Sequence, residues 1–73
     1  MPSIEIQVMK GVFSNDEKSE IIRKVTKAFG EVSGKTIERG TSVRVLEVES
    51  GSWGYGGNVL TSSDALEMKH RKD

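Results

Sequence analysis

Few side chains in this sequence are suited to chemistry, and the shortage itself narrows the field. There is no cysteine and a single histidine, His70. That removes thiol nucleophiles, disulfides, zinc–thiolate sites and a histidine-rich metal centre within one chain. Arg44 stands in the run Thr41-Ser42-Val43-Arg44-Val45, and its fixed charge and forked donors suit a carboxylate or the carbonyl beside one. Read alone, it is a strand arginine paired with Glu47 or Glu49. Trp53 lies in Gly51-Ser52-Trp53-Gly54-Tyr55-Gly56-Gly57 and, by itself, is an ordinary core or interface residue. The glycines of that stretch would cradle phosphate only if they led from a strand into a helix. No helical pattern follows them, which argues against a nucleotide. Pro2 comes straight after the initiator methionine, and its plain role is to start an edge strand where no ladder donor is needed. Lys10 and Arg39 are cations of the kind usually left in solvent.

The elements that must position these residues follow from periodicity. Ile4, Ile6 and Val8 alternate with Glu5 and Gln7, the pattern of a half-buried strand over residues 3–9. Ser14 and Glu17 have capping-box spacing, and Asp16 and Glu17 suit the positive end of a helix dipole, so a helix is predicted from about Asn15. Ile21, Ile22, Val25, Ala28, Phe29 and Val32 recur on one helical face. The helix should stop near Gly34, with Gly30 weakening its last turn. Residues 34–40 read as a connection and 41–49 as a second strand rich in β-branched residues. A helix of this length between two strands implies a right-handed crossover and parallel pairing. The glycine-dense stretch after it is expected to form a turn or short hairpin. The division is therefore a domain over residues 1–62 and a polar tail over 63–73. The tail has a possible helical turn around Ala65 to Met68, and no firm structure is assigned to it.

Size and charge set further limits. With 73 residues, the chain is one domain whose core is too small to be comfortable alone. Association between copies is the remaining way to enlarge that core, since neither disulfides nor a metal are on offer. Eleven basic residues balance eleven acidic ones, which argues against nucleic acid as the main partner. The opening MPSIEIQV is neither a basic leader nor an apolar span, so no membrane partner and a cytoplasmic location are expected.

Four features now coincide in order: a proline after the initiator methionine, a strand directly behind it, Thr-Ser-Val-Arg-Val, and Gly-Ser-Trp-Gly-Tyr-Gly-Gly. Together, over roughly residues 2–60, they make the chain resemble the 4-oxalocrotonate tautomerase family. The resemblance implies an α/β (α+β) protomer of β-α-β layout with two parallel strands, one main helix and a short C-terminal hairpin. It also implies dimers with four-stranded sheets that assemble three at a time into a homohexamer, a hetero-oligomer being the alternative. Activity would need no cofactor. Pro2, freed by loss of Met1, is implied to be the catalytic base, because only then is its nitrogen an amine. An apolar pocket beside another cation lowers the pKa of such an amine towards the working pH. Arg44 matches the arginine that binds the substrate carboxylate or polarises its carbonyl, reaching a neighbouring subunit's proline. Trp53 stands where many relatives have phenylalanine, as a substrate-facing wall.

One departure matters. Where the best-known members carry a second carboxylate-binding arginine, this chain has Val12 and Phe13, and Lys10 or Arg39 are the candidates to replace it. A monoacid, or an acid with an apolar far end, suits such a pocket better. The implied reaction is keto–enol proton transfer on a small unsaturated 2-hydroxy or 2-oxo acid. The alternatives are hydration, dehalogenation or decarboxylation of a related acid, or a silent subunit of a hetero-oligomer.

Overall fold

The computed structural model describes residues 2–71. Their order is β1 (Ser3–Met9), α1 (Asn15–Ser33), α2 (Lys35–Arg39), β2 (Ser42–Val48), β3 (Trp53–Tyr55), β4 (Asn58–Leu60) and α3 (Ser62–Arg71). Met1, whose loss the proline chemistry requires, lies outside the described residues, as do positions 72 and 73 of the tail.

Strands β1 and β2 pair in parallel, with Ile4 beside Val43, Ile6 beside Val45 and Val8 beside Glu47. Neighbours in a parallel ladder point to the same face, so these residues form the face that α1 covers. The ion pair from Lys18 of α1 to Glu47, at 3.1 Å, confirms which face it is. The opposite face, with Ser3, Glu5, Ser42, Arg44 and Leu46, is exposed. Helix α1 starts as its sequence dictates. The Glu17 amide donates to Ser14 Oγ at 3.1 Å, and the Ser14 amide donates to Glu17 Oε1 at 2.9 Å. A cap of this kind contributes about 1 kcal/mol.

The core is thin. Among the described residues only Met9 and Val12 bury apolar side chains almost fully, at 4% and 6% exposure. Two strands are too narrow to cover a 19-residue helix, and Val32, at its far end, is 92% exposed.

Two segments differ from the sequence reading. The connection over 34–40 contains the one-turn helix α2, which follows a left-handed Gly34 with φ 95°. Gly30, expected only to weaken α1, makes room for α2, because a Cβ there would run into the Glu38 side chain. The polar tail forms α3. Thr61 opens it with its amide and hydroxyl donating to Asp64 Oδ2, at 3.1 and 3.0 Å, and the Asp64 amide returns a bond of 3.3 Å to Thr61 Oγ1. Those donors hold the Asp64 carboxyl below its ordinary range. Between the two helices, β3 and β4 form the expected hairpin. Its loop is Gly56-Gly57, both left-handed at φ 54° and 86°, as a two-residue primed turn requires. No helix among the described residues is long and apolar enough to cross a membrane.

Candidate active site

The first bond of the parallel ladder fixes the head of the sheet, where the Ser42 amide donates to the Pro2 carbonyl at 2.9 Å. Pro2 is half-buried there. Two residues along β2, the Arg44 guanidinium lies across the exposed face. One of its nitrogens donates to Ser42 Oγ at 2.6 Å and the other to the hydroxyl of Ser3, the residue next to Pro2. Both partners are neutral, so they aim the guanidinium without cancelling its charge. The simpler pairing with Glu47 or Glu49 is not present. Glu47 is taken by Lys18 at 3.1 Å and Glu49 by Lys10 at 3.4 Å. Arg44 has no carboxylate partner among the described residues.

Trp53 is elsewhere. It is half-buried and forms a wall of a cavity of about 380 Å³ with Met9, Val12, Phe13, Leu60 and Met68. This cavity lies at the far end of β1, and a strand rises about 3.3 Å per residue, placing Met9 about 20 Å from Ser3, the residue after Pro2. A single chain therefore brings Pro2 and Arg44 to one end of the sheet and leaves Trp53 at the other. Lys10 is an exposed partner of Glu49 and borders a neighbouring hollow with Ser14 and Lys18. Arg39 is exposed in the last turn of α2 and lines neither hollow.

The residue that sequence reasoning missed is Lys69. From α3 its ammonium donates to the Val12 carbonyl at 2.8 Å and to Glu17 Oε1 at 2.6 Å, and it sits 4.9 Å from the centre of the Phe13 ring. The Lys69 hydrogen bond, followed by the Ser14 amide, pulls the Glu17 carboxyl down to about 2. A signal for α3 was present in the sequence. Thr61 and Asp64 repeat the spacing that marked the start of α1, so the helix that carries Lys69 was within reach of inference, though its contact with Glu17 was not.

The family model described as "Tautomerase enzyme" matches residues 2–63. The chain is 33% identical over 61 residues to probable tautomerase K2 of Dickeya dadantii (strain 3937), covering 84% of this chain and 90% of that protein. Among solved structures, a 4-oxalocrotonate tautomerase isozyme of Methylibium petroleiphilum superposes with a TM-score of 0.70 at 27% identity, covering 86% of this chain and 95% of that one. DmpI of Helicobacter pylori gives the same TM-score of 0.70 at 28% identity, over 80% of this chain and 94% of that one.

Proposed function

The chain belongs to the tautomerase family, and from that premise we propose that it moves a proton between carbon and oxygen in a small unsaturated 2-hydroxy or 2-oxo acid. Pro2 is the base and Arg44 the electrophilic partner. The observation that carries the reading is the position of Arg44, whose guanidinium is bonded to the hydroxyl beside Pro2 and has no described carboxylate partner. A fixed cation there serves twice. It lowers the pKa of a nearby secondary amine by disfavouring the ammonium, and it stabilises the negative charge that grows on the substrate oxygen as the proton leaves.

In this mechanism the neutral Pro2 amine takes a proton from the enol or from carbon, Arg44 holds the developing enolate, and the prolinium returns the proton at the other position. No external oxidant or reductant is needed, since the reaction only relocates a proton and an electron pair. The thin core and the placing of Pro2 and the Trp53 cavity at opposite ends of β1 are accounted for by association, a homohexamer built as a trimer of dimers. There the cavity of one copy meets the proline of another.

The test compares two forms of the protein, one with Met1 removed and one with it retained, each verified by intact mass. The processed form should ketonise a 2-hydroxydienoate, and the retained form should lose the activity. Equal rates would remove Pro2 from the role of base.

A further inference from the structure

Helix α3 is held at its two ends and little between them. At its base the Gly51 amide donates to the Leu60 carbonyl at 3.1 Å and the Ser62 amide to Ser50 Oγ at 2.9 Å, which ties the helix to the segment leading into β3. About 10 Å further along, by the rise of a helix, the Lys69 ammonium reaches the start of α1. It donates to the Val12 carbonyl at 2.8 Å and to Glu17 Oε1 at 2.6 Å, and it faces the Phe13 ring at 4.9 Å. Among the described residues, and leaving aside the adjoining Thr61, these are the polar ties of α3 to the rest of the chain.

The face between the two ties is not consolidated by packing. Ala65 and Met68 line the cavity of about 380 Å³ with Trp53 and Leu60, yet Met68 is 55% exposed and no residue of α3 is buried. A ten-residue helix is also too short to persist on its own, since isolated helices under about 12–15 residues are marginal in water. Such an element has two states, docked and released. Lys69 decides between them. Its side chain is 21% exposed, against 76% for Lys24 and 80% for Lys35, whose ion pairs lie along a single helix. A short, partly desolvated pair of this kind holds more than a solvated one does. Nearly all of α3 lies beyond the 2–63 span that the family model matches.

We propose that α3 is a lid on the cavity at the far end of β1, hinged over residues 60–62 and latched by Lys69, and that when closed it limits the length of acid that the pocket admits. The closure stands on the contacts of α3, whereas the limit on length rests on the tautomerase reading of the pocket. An open α3 removes the Ala65 and Met68 wall, and a longer apolar end then passes where the closed lid would stop it.

Trp53, the single tryptophan of the chain and a wall of the cavity, reports the lid through its quenching by acrylamide. Lys69→Met removes the latch and keeps the stem, and should raise the quenching constant severalfold; Lys69→Arg should leave it near the parent value. Glu67→Gly weakens the helix at an exposed position that does not line the cavity, and should raise quenching with the latch residue intact. Lys24→Met, which removes a solvated lysine, should change nothing. A second readout separates an open lid from a damaged fold. In protein lacking Met1, kcat/KM for a 2-hydroxydienoate with a butyl end is compared with that for one with a methyl end. The ratio should rise roughly tenfold in Lys69→Met, the scale at which a pocket discriminates a methylene, while turnover of the methyl compound persists. Trp53 equally shielded in Lys69→Met and in the parent overturns the proposal. Raised quenching with an unchanged ratio overturns it too, because α3 would then open without bounding the pocket. So does loss of turnover on both acids in Lys69→Met, which would make α3 a support of the fold. If the parent turns over neither acid, the proton-transfer reading and the limit on length fail together, and the quenching series still decides the closure.

Discussion

At the head of the parallel ladder, Ser3, Ser42 and Arg44 present polar groups on an open face, next to the half-buried Pro2. At its foot, Met9, Val12 and Trp53 surround an apolar cavity walled by α3. Among the described residues the head offers charge on an exposed face, and the foot offers an apolar lining in which Lys69 is the one charged side chain. Acid–base chemistry on an enol needs both, since a base of suitable pKa and a stabilised oxyanion gain most in a dry site. The two halves stand about 20 Å apart along β1 by the rise of a strand. On the function proposed above, a single chain carries the parts of the site at two separate places, and the end of α1 at Val32 is left largely uncovered, at 92% exposure.

The largest expected effect strikes the head. Arg44→Ala should lower kcat/KM by on the order of a hundredfold or more, the usual cost of removing an aligned donor from a developing oxyanion. The split is informative. A rise in KM alone would mean that Arg44 grips only the unchanging carboxylate, whereas a fall in kcat places it on the charge that grows in the transition state. Both should occur, measured at matched association state. Near-full activity in an assembled Arg44→Ala protein would remove Arg44 from the site.

If head and foot of different copies meet, activity should depend on association. Sedimentation should find a hexamer at micromolar concentration, and activity per chain should fall as dilution separates the copies. A fully active monomer would break the contrast between the two ends, because one chain would then suffice. A smaller effect sharpens it. Chains that retain Met1 have a blocked head, and Trp53→Ala chains have an altered foot. Once unfolded and refolded together, the two should recover activity severalfold above the mean of the separate proteins. Recovery would follow from sites that take the proline from one copy and the tryptophan from another. No recovery would mean that both come from the same chain.

What the sequence disclosed and what it hid divide along physical lines. Ser14, Glu17 and the spaced apolar residues behind them are local, and local signals placed α1 to within a residue. The alternation over residues 3–9 and the parallel pairing were equally readable. Helix α2 was not, because five residues between two glycines are too few to show a period. The anchor of α3 was hidden for another reason. Lys69 and Glu17 lie 52 positions apart, and nothing local marks that contact, although Thr61 and Asp64 announced the helix itself. For the site, residue types and order pointed to Pro2, Arg44 and Trp53. Their distribution over opposite ends of the sheet appears only once β1 and β2 are in register, with Arg44 beside Glu5 and Met9 beside Val48.

The smallest expected effect concerns the latch at the foot. The Glu17 carboxyl is lowered from 4.5 to about 2, first by the Lys69 hydrogen bond and then by the Ser14 amide. A depressed folded-state pKa means that the ionised form is the one that the fold favours. The contribution of the contact is therefore complete above pH 4.5 and is lost as pH falls through about 2. Near neutrality nothing should change. Between those limits the folded chain keeps Glu17 ionised while the unfolded chain protonates it, so stability declines, and below them the tie from α3 to the start of α1 is gone. Lys18 and Glu47 border the same hollow but hold each other at 3.1 Å on the helix-covered face, so they are not the pair that ties α3. Protection of the amides over residues 62–71, taken relative to the intrinsic exchange rate at each pH, should accordingly fall on acidification before protection in β1 and β2 does, and Glu17→Gln should lower it at every pH. If α3 and the parallel ladder lost protection together in the parent protein, the foot would be no more separable from the head than any other part of the fold, and Lys69 would not be its latch.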